Sequence, residues 1–346
     1  MSRVVENASD FVTIGENIHT TRIVKLGGVF HEKQDDGSDA IKYRNSDGER
    51  RLMRVPEHFA STQPYEQGQL KHFMIAIWKG MNEEADEAAA GIDYIEKEVH
   101  RQVKAGASYL DLNVDEFSYR LPEQQEAMRW LVGKVQAVAN VPPSIDSSKS
   151  EIIEAGFEAY DGSAGRPMLN SVALERIEAL DLVLEHDASV VVTAAREDGM
   201  PEDEHERLEN VGRIIEAALS KGIARADIYV DPLFFPISVS GEYGPHGLNA
   251  IKLIRDEYGS EIHITGGMSN VSFGLPNRKL VNAVYLRLAI DHGADSGIID
   301  PIHTDIDAVL ALDMESKPVQ IATDMLMGND DFCMNYITAF RSGELG

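Results

Sequence analysis

Residues 262–278, Ile-His-Ile-Thr-Gly-Gly-Met-Ser-Asn-Val-Ser-Phe-Gly-Leu-Pro-Asn-Arg, combine a short apolar run, two glycines and a polar segment that leads into a helical pattern. This order is typical of a buried parallel strand that delivers side chains to a site at its carboxyl end. Asn270 follows Gly266 and Gly267, which carry no side chain and let the backbone approach a flat ligand closely. The alternative is that Asn270 only caps a turn after the strand.

The same strand-then-helix unit recurs along the chain. Eight short apolar segments end in polar residues: 12–18, 109–114, 143–148, 167–171, 189–195, 227–233, the run that starts at 262, and 296–301. Helices are predicted over 83–105, 121–138, 151–160, 174–185, 201–221, 248–258 and 279–292. Strands that are apolar on both faces are typical of a parallel sheet.

We therefore predict an α/β fold, a (β/α)8 TIM barrel with an insertion after strand 1 and an extra C-terminal helix over 330–342. The length of 346 residues fits one such barrel or two ordinary domains. A doubly wound open sheet is the alternative fold, but Gly15-Glu16-Asn17 after the first strand is not the glycine-rich turn that such a sheet uses for phosphate.

Residues 19–82 interrupt the alternation directly after the first strand. They lack a sustained period, although 40–44 and 51–55 flank an Asn-Ser-Asp-Gly turn and predict a hairpin. We predict that 1–346 form a single domain with 19–82 as an insertion at the catalytic face. The insertion mixes basic and aromatic residues, which favours a docking surface or lid, and a stabilising cap over the barrel is the alternative.

The composition limits the classes of function. A formal charge of −26 argues against nucleic acid and anionic membrane surfaces as partners, because both require basic patches. No apolar run is long enough to cross a bilayer, so we expect a cytoplasmic protein. The histidines lack metal-binding spacing and no Gly-x-Ser-x-Gly motif is present, so we predict neither a metal site nor an acyl-transfer nucleophile.

In a barrel, the carboxyl ends of the strands would bring together several acids and amides. They are Glu16, Asn17, Asp111, Asn113, Asp146, Asn170, Thr193, Asp231, Asn270 and Asp300. Such a set matches the edge of a heterocycle that alternates hydrogen-bond donors and acceptors. Each residue also has a structural alternative, since Asp231 and Asp300 precede proline and could simply end a strand, and Asp146 precedes two serines and could cap the next helix.

These strand-end motifs resemble the pterin-binding (β/α)8 methyltransferases, which move a methyl group between methyltetrahydrofolate and a corrinoid cofactor. This family includes the folate module of cobalamin-dependent methionine synthase. The likeness covers most of 12–18 and 83–315. It rests on Ile14-Gly15-Glu16, Leu110-Asp111-Leu112-Asn113-Val114, Ile145-Asp146-Ser147, Leu169-Asn170-Ser171, Tyr229-Val230-Asp231-Pro232-Leu233 and Met268-Ser269-Asn270-Val271-Ser272 with Asn277-Arg278.

The resemblance implies that Asp146, Asn170 and Asp231 hold the pterin ring, with Asn270 beside the nitrogen that bears the methyl group. Further folate contacts are predicted at Asp111, Asn113, Glu16, Ser272 and Arg278. The implied substrates are 5-methyltetrahydrofolate or tetrahydrofolate and the cobalamin of a separate corrinoid-binding protein, because the sequence contains no corrinoid-binding domain. We also expect a homodimer.

Two departures from the family pattern stand out. The chain reads Gly-Glu-Asn-Ile-His over 15–19, where the family commonly reads Gly-Glu-Arg-Ile-Asn, and the insertion is not part of the pattern.

Dihydropteroate synthase is a rival on the same scaffold, but its expected lysine and arginine-rich strand end are missing. A non-catalytic pterin-binding subunit is the third reading, and the sequence does not set the direction of methyl flow.

Overall fold

The protein is described by a computed structural model over residues 5–345, so the outermost residues of the predicted 1–346 domain lie outside it. The strands are β1 Val12–His19, β2 Ile23–Lys25, β3 His31–Lys33, β4 Asp39–Arg44, β5 Arg50–Arg54, β6 Gln69–Lys71, β7 Tyr109–Asn113, β8 Pro143–Asp146, β9 Met168–Val172, β10 Ser189–Thr193, β11 Ile228–Asp231, β12 His263–Ile264 and β13 Ser296–Ile299. The helices are α1 Gln63–Glu66, α2 His72–Asn82, α3 Ala85–Lys104, α4 Leu121–Gln136, α5 Ser150–Ala159, α6 Leu180–Glu185, α7 Glu204–Lys221, α8 Tyr243–Tyr258, α9 Arg278–His292, α10 Ile306–Leu310, α11 Lys317–Leu326 and α12 Met334–Arg341.

Eight strands form one sheet in the order β12-β11-β10-β9-β8-β7-β1-β13, and the pairs β7–β8, β10–β11 and β11–β12 are parallel. The two end strands also meet, because the Ile298 amide donates to the Gly266 carbonyl at 3.0 Å and a parallel bridge joins Gly267 to Ile298. The sheet is therefore a nearly closed barrel, which confirms the predicted (β/α)8 fold and all eight predicted strands.

The helix boundaries follow the local capping chemistry. The predicted 201–221 helix begins only at Glu204, because the Asp203 side chain caps it by accepting from the His205 and Glu206 amides. The single helix predicted over 174–185 is wrong in its first half. There a 3-10 segment, Leu174–Ala179, contains Arg176 at φ −142° and ψ 46°, and α6 begins only afterwards.

Helix α8 begins five residues before the predicted start at Leu248, despite two glycines in its first turns. A Cβ on Gly244 would lie 1.9 Å from the Leu326 carbonyl oxygen, and a Cβ on Gly247 would lie 2.4 Å from the Tyr285 hydroxyl oxygen. The glycines are thus required by close packing against neighbouring elements, and this packing overrides their low helix propensity.

The C-terminal segment contains more helix than the sequence predicted. The extra helix expected over 330–342 is present as α12, but α10 and α11 precede it and were not predicted. Helix α11 buries Val319, Ala322, Met325 and Leu326 along one face. These apolar residues extend over only about two turns and directly follow a lysine and a proline, so the helical spacing is weak in the sequence.

The 19–82 insertion is a folded layer with its own small sheets. Strands β4 and β5 pair antiparallel with Ile41 opposite Met53, which confirms the predicted hairpin, and β3 adds a third strand. The insertion also contains the unpredicted helix α2, which packs on α3. Tyr43 anchors the sheet to α3 by donating to Asp93 Oδ2 at 2.7 Å and by an edge-on contact with Tyr94.

The described residues fall into two compact units. One comprises residues 15–168 and carries most of β1, the insertion, β7 and β8; the other comprises the residues up to 14 together with those from 169 onward, and carries β9–β13 with the C-terminal helices. Over 5–345, no helix combines the length and apolar character required to cross a bilayer.

Candidate active site

In the 15–168 unit, two predicted site residues lie side by side at the carboxyl ends of neighbouring strands. Asn113 of β7 is in register with Asp146 of β8, and its Nδ2 donates to Asp146 Oδ2 at 2.9 Å. One layer deeper, the Asp111 carboxylate is buried and accepts a 2.6 Å hydrogen bond from the Ser144 hydroxyl. Asp146 is thus the member of this group that remains partly accessible to a ligand, with its side chain 26% exposed.

His19 ends β1, at the position where the family pattern commonly has asparagine. Its Nε2 lies 3.4 Å from Asp146 Oδ2. Burial lowers the pKa of His19, but the hydrogen bond and negative charge of Asp146 outweigh this effect, so the pKa is raised above its ordinary value. The departure from the family pattern at the end of the first strand was the only sign of His19 in the sequence. The sequence does not indicate that Asp146 is its partner.

Glu16 is already engaged within the protein. Its Oε1 accepts from Arg22 Nη2 at 3.0 Å, and the same guanidinium nitrogen donates to Asn17 Oδ1. Asn17 also donates from Nδ2 to Glu98 Oε1. The end of β1 is therefore held by a polar network, and a direct contact of Glu16 with folate stays a prediction.

In the other unit, Asp231 lies buried at the end of β11. Its Oδ1 accepts from the Leu233 amide at 2.7 Å, and the Gly267 amide also stabilises the carboxylate. Burial raises the pKa of Asp231 to about 6, against these amides and the charge of Arg207. Gly266 makes room for this carboxylate, since a Cβ there would lie 2.5 Å from Oδ1.

Arg207 of α7 is a second residue that sequence reasoning missed. It is fully buried, and its Nε donates to the Pro232 carbonyl at 2.9 Å, so it fixes the turn that follows Asp231. Its guanidinium lies 5.1 Å from the Phe235 ring centroid. In the sequence, Arg207 is one of many charged residues on an amphipathic helix, and no local pattern indicates that its side chain is buried beside Asp231.

Asn270 lies on a 3-10 turn, Met268–Ser272, that directly follows the barrel closure. Its amide donates to the Gly267 carbonyl at 3.1 Å, which holds the backbone in place. The side chain is exposed, and within residues 5–345 it makes no hydrogen bond, so its donor and acceptor are both open to a ligand.

Ser272 and Arg278 brace this turn from behind. Arg278 donates from Nε to the Ser272 hydroxyl at 2.8 Å and from Nη2 to the Ser269 carbonyl at 3.0 Å. Its guanidinium also lies 4.8 Å from the Phe273 ring centroid. Ser272 is fully buried, so its role in this structure is to support the turn that carries Asn270.

Asn170, the third residue predicted to hold the pterin ring, is buried in β9. Among the described side chains, no three or more His, Cys, Asp or Glu residues come together as a metal site. The 15–168 unit presents a carboxylate acceptor at Asp146, and the other unit presents a carboxylate acceptor at Asp231 and an amide at Asn270.

Comparison with known proteins agrees with this architecture. Residues 84–300 match the model of the pterin binding enzyme family, and the chain belongs to this family. It is 32% identical over 279 residues to the methylcorrinoid:tetrahydrofolate methyltransferase of Eubacterium limosum, covering 79% of this chain and 94% of that protein.

Two more distant relatives share parts of the chain or its fold. Methionine synthase of Mycobacterium leprae is 31% identical over 212 residues, which cover 57% of this chain and 17% of that longer protein. A solved dihydropteroate synthase from Xanthomonas albilineans has a TM-score of 0.51 at 20% identity, covering 66% of this chain and 87% of that one. At this identity the likeness supports the barrel fold alone.

Proposed function

We propose that this protein is a methyltransferase that moves a methyl group between tetrahydrofolate and the cobalt of a corrinoid carried by a partner protein. The observation that carries this proposal is the likeness to the methylcorrinoid:tetrahydrofolate methyltransferase, which extends over nearly the whole of that relative.

In this proposal the reduced pterin ring is held by Asp146, Asn170 and Asp231. The ring presents N–H donors, and the two carboxylates are acceptors at the ends of barrel strands. Asp111, Asn113 and Glu16 support this site through their neighbours, and Ser272 and Arg278 do so by bracing the turn of Asn270.

The transfer step requires help at the pterin nitrogen. When the methyl leaves, the carbon–nitrogen electron pair remains on nitrogen, which takes up a proton, while cobalt(I) supplies the electron pair for the new carbon–cobalt bond. Asn270 has an open amide, and we assign it the hydrogen bond to this nitrogen. In the reverse direction the proton is released, and the same amide orients the nitrogen lone pair toward the methyl group.

The insertion is proposed to be the docking surface for the corrinoid protein, at the catalytic face of a single domain. Val29 and Phe30 are large apolar side chains that are 82% and 62% exposed. The segment 19–82 contains 10 Lys and Arg against 8 Asp and Glu, in a chain whose net charge is −26. An apolar, nearly neutral surface of this kind suits protein contact better than the strongly acidic remainder.

We further propose that the protein is cytoplasmic, forms a homodimer and binds neither nucleic acid nor membrane. Light scattering of the purified protein would report the mass, and a monomer would contradict the homodimer.

A direct assay tests the central proposal. Protein, 5-methyltetrahydrofolate and a cobalt(I) corrinoid protein are mixed, and the cobalt spectrum is followed for formation of methylcobalt. Dihydropteroate synthesis is assayed in parallel with a pterin pyrophosphate and p-aminobenzoate. Methyl transfer without condensation is expected; condensation without transfer, or folate binding without either reaction, would overturn the proposal.

A further inference from the structure

The pair formed by His19 and Asp146 has a geometry that the function proposed above does not use. Asp146 Oδ2 accepts from Asn113 Nδ2 at 2.9 Å and faces His19 Nε2 at 3.4 Å. Its Oδ1 receives no hydrogen bond from any residue over 5–345. One oxygen of this carboxylate is therefore anchored, and the other is open.

The imidazole is itself held in place. In the neutral ring Nδ1 accepts from the Thr21 amide at 3.2 Å, whereas in the imidazolium the Nδ1–H can donate to the Thr21 hydroxyl oxygen, which lies 2.7 Å away. In both forms Nε2 carries a proton toward Asp146. The charged groups that act on the ring are Asp146 and Asp111, which favour its protonated form, and Arg22, which opposes it.

We propose that His19 is a positioning residue for reduced folate, whose imidazolium pairs with anchored Oδ2 of Asp146 and so offsets the negative charge of this carboxylate when open Oδ1 contacts the pterin ring. The inference rests on the proposed function. A bound ring displaces water from Asp146, and a carboxylate that loses water without a paired charge is destabilised. Folate binding should therefore be tighter when His19 is protonated.

The expected pH dependence of folate affinity follows from two groups, His19 and Asp231, whose contributions change in opposite directions as pH rises. The pKa of His19 is raised, so its contribution is present at lower pH and is lost as pH rises through that pKa. Asp231 has a pKa of about 6, and as pH falls through that value it loses its charge and one oxygen becomes a donor, so its contribution as a charged acceptor is lost. Together they predict a bell-shaped affinity profile, with His19 as its alkaline limb.

The test is titration calorimetry of the full-length protein with 5-methyltetrahydrofolate between about pH 5 and about pH 9, a range that spans both groups. The variant is His19→Asn, which keeps a polar side chain that does not titrate. The matched control is His246→Asn, because His246 faces Glu204 at 3.7 Å with its side chain 25% exposed, against 24% for His19.

His19→Asn should lose the alkaline limb, keep the acid limb, and bind about fivefold more weakly near pH 6, as expected for the loss of a partly exposed ion pair. His246→Asn should reproduce the wild-type profile. A His19→Asn profile with both limbs intact would overturn the inference, and so would an alkaline limb that His246→Asn also removes.

A second measurement does not depend on folate. In nuclear magnetic resonance titrations without ligand, the His19 ring signal should titrate at lower pH in Asp146→Asn than in the wild type; an unchanged titration would overturn the pairing. If the wild type bound no reduced folate at any pH, the proposed function would fall and the folate role of His19 with it. An Asp146-dependent titration would then show that the pair itself exists, so the two failures are distinguishable.

Discussion

Asp231 combines deep burial with the role of a hydrogen-bond acceptor, and the two properties oppose each other. Burial raises the pKa of its carboxyl to about 6, while the Leu233 and Gly267 amides and the charge of Arg207 favour the ionised form. A protonated carboxyl presents a donor where the proposed pterin contact requires an acceptor. The ring site should therefore weaken in mildly acid solution.

We expect Asp231→Asn to reduce folate affinity by about 1–3 kcal/mol near neutral pH, because a buried pterin donor loses its charged acceptor. The loss of affinity below about pH 6 that we expect for the wild type should disappear in this variant. Titration calorimetry across pH measures both effects, with exposed Asp256→Asn as the control. Wild-type affinity in Asp231→Asn would remove Asp231 from the ring site.

Asn270→Ala should lower the rate constant of methyl transfer more than the affinity for folate. The amide hydrogen bond strengthens as positive charge develops on the nitrogen, so its loss belongs mainly to the chemical step. Single-turnover mixing with a reduced corrinoid protein gives the rate, and calorimetry gives the affinity. Asn249→Ala on α8 serves as the control, and equal losses in rate and affinity would contradict the assignment.

At this scale, the sequence indicated the residues that stand at strand ends. Asp146 and Asp231 each follow an apolar strand, so a barrel topology alone places them at its carboxyl end. Arg207 lies in the middle of a helix and becomes a neighbour of the Asp231 turn only through tertiary packing. The same is true of the partner of His19, because residues 19 and 146 are brought together by the barrel.

The 3-10 turn Met268–Ser272 is the element on which transfer is proposed to depend. Its outer side carries Asn270, and its inner side is held by two hydrogen bonds from Arg278. Because the guanidinium is a planar fork, it reaches the Ser272 hydroxyl and the Ser269 carbonyl together. The orientation of the turn thus depends on the geometry of Arg278 as well as on its charge.

Arg278→Lys should therefore impair transfer although it preserves the charge. A single ammonium group cannot reproduce both hydrogen bonds and the stacking on Phe273, so we expect the transfer rate to fall toward that of Asn270→Ala with a smaller change in affinity. Single-turnover rates and calorimetry on the same preparations measure this. A loss of affinity alone would mean that Arg278 contacts folate directly.

Strands and helices were predictable from the sequence where all residues of a segment are buried to a similar degree. Strand β10 is apolar and buried on both faces, which gives an unbroken signal in the sequence. The start of α8 was not predictable, because Gly244 and Gly247 argue against a helix locally and are retained for contacts with Leu326 and Tyr285. The 3-10 segment at Arg176 likewise looked helical in composition but departs from helical backbone angles.

For the whole molecule, the insertion is the part that the resemblance did not explain. Its buried Ile41 and Met53 pair across the hairpin, and Tyr43 fixes the sheet to α3. A sheet with its own core and such anchors presents Val29 and Phe30 on a defined surface. This makes the docking proposal testable by surface substitutions that leave the fold intact.

The double substitution Val29→Ser and Phe30→Ser should raise the KM for the corrinoid protein about fivefold or more, as expected when exposed apolar anchors of an interface are removed. Folate affinity and transfer to free cobalamin should not change. Phe332→Ser, at a side chain that is 92% exposed in the C-terminal segment, is the matched control. Loss of transfer to both acceptors would place Val29 and Phe30 in the active site, and no loss at all would leave the insertion as a stabilising cap.

Gly266 has a consequence for how this protein can vary during evolution. Its φ of +142° is rare for residues with a side chain, and an added methyl would strike Asp231 and Phe234, each at 2.5 Å. The same residue receives the Ile298 amide at the barrel closure and stands four positions before Asn270. A side chain at position 266 would disturb Asp231, the barrel closure and the turn that carries Asn270 together, so a library randomised at this position and selected for the proposed methyl transfer should return glycine alone.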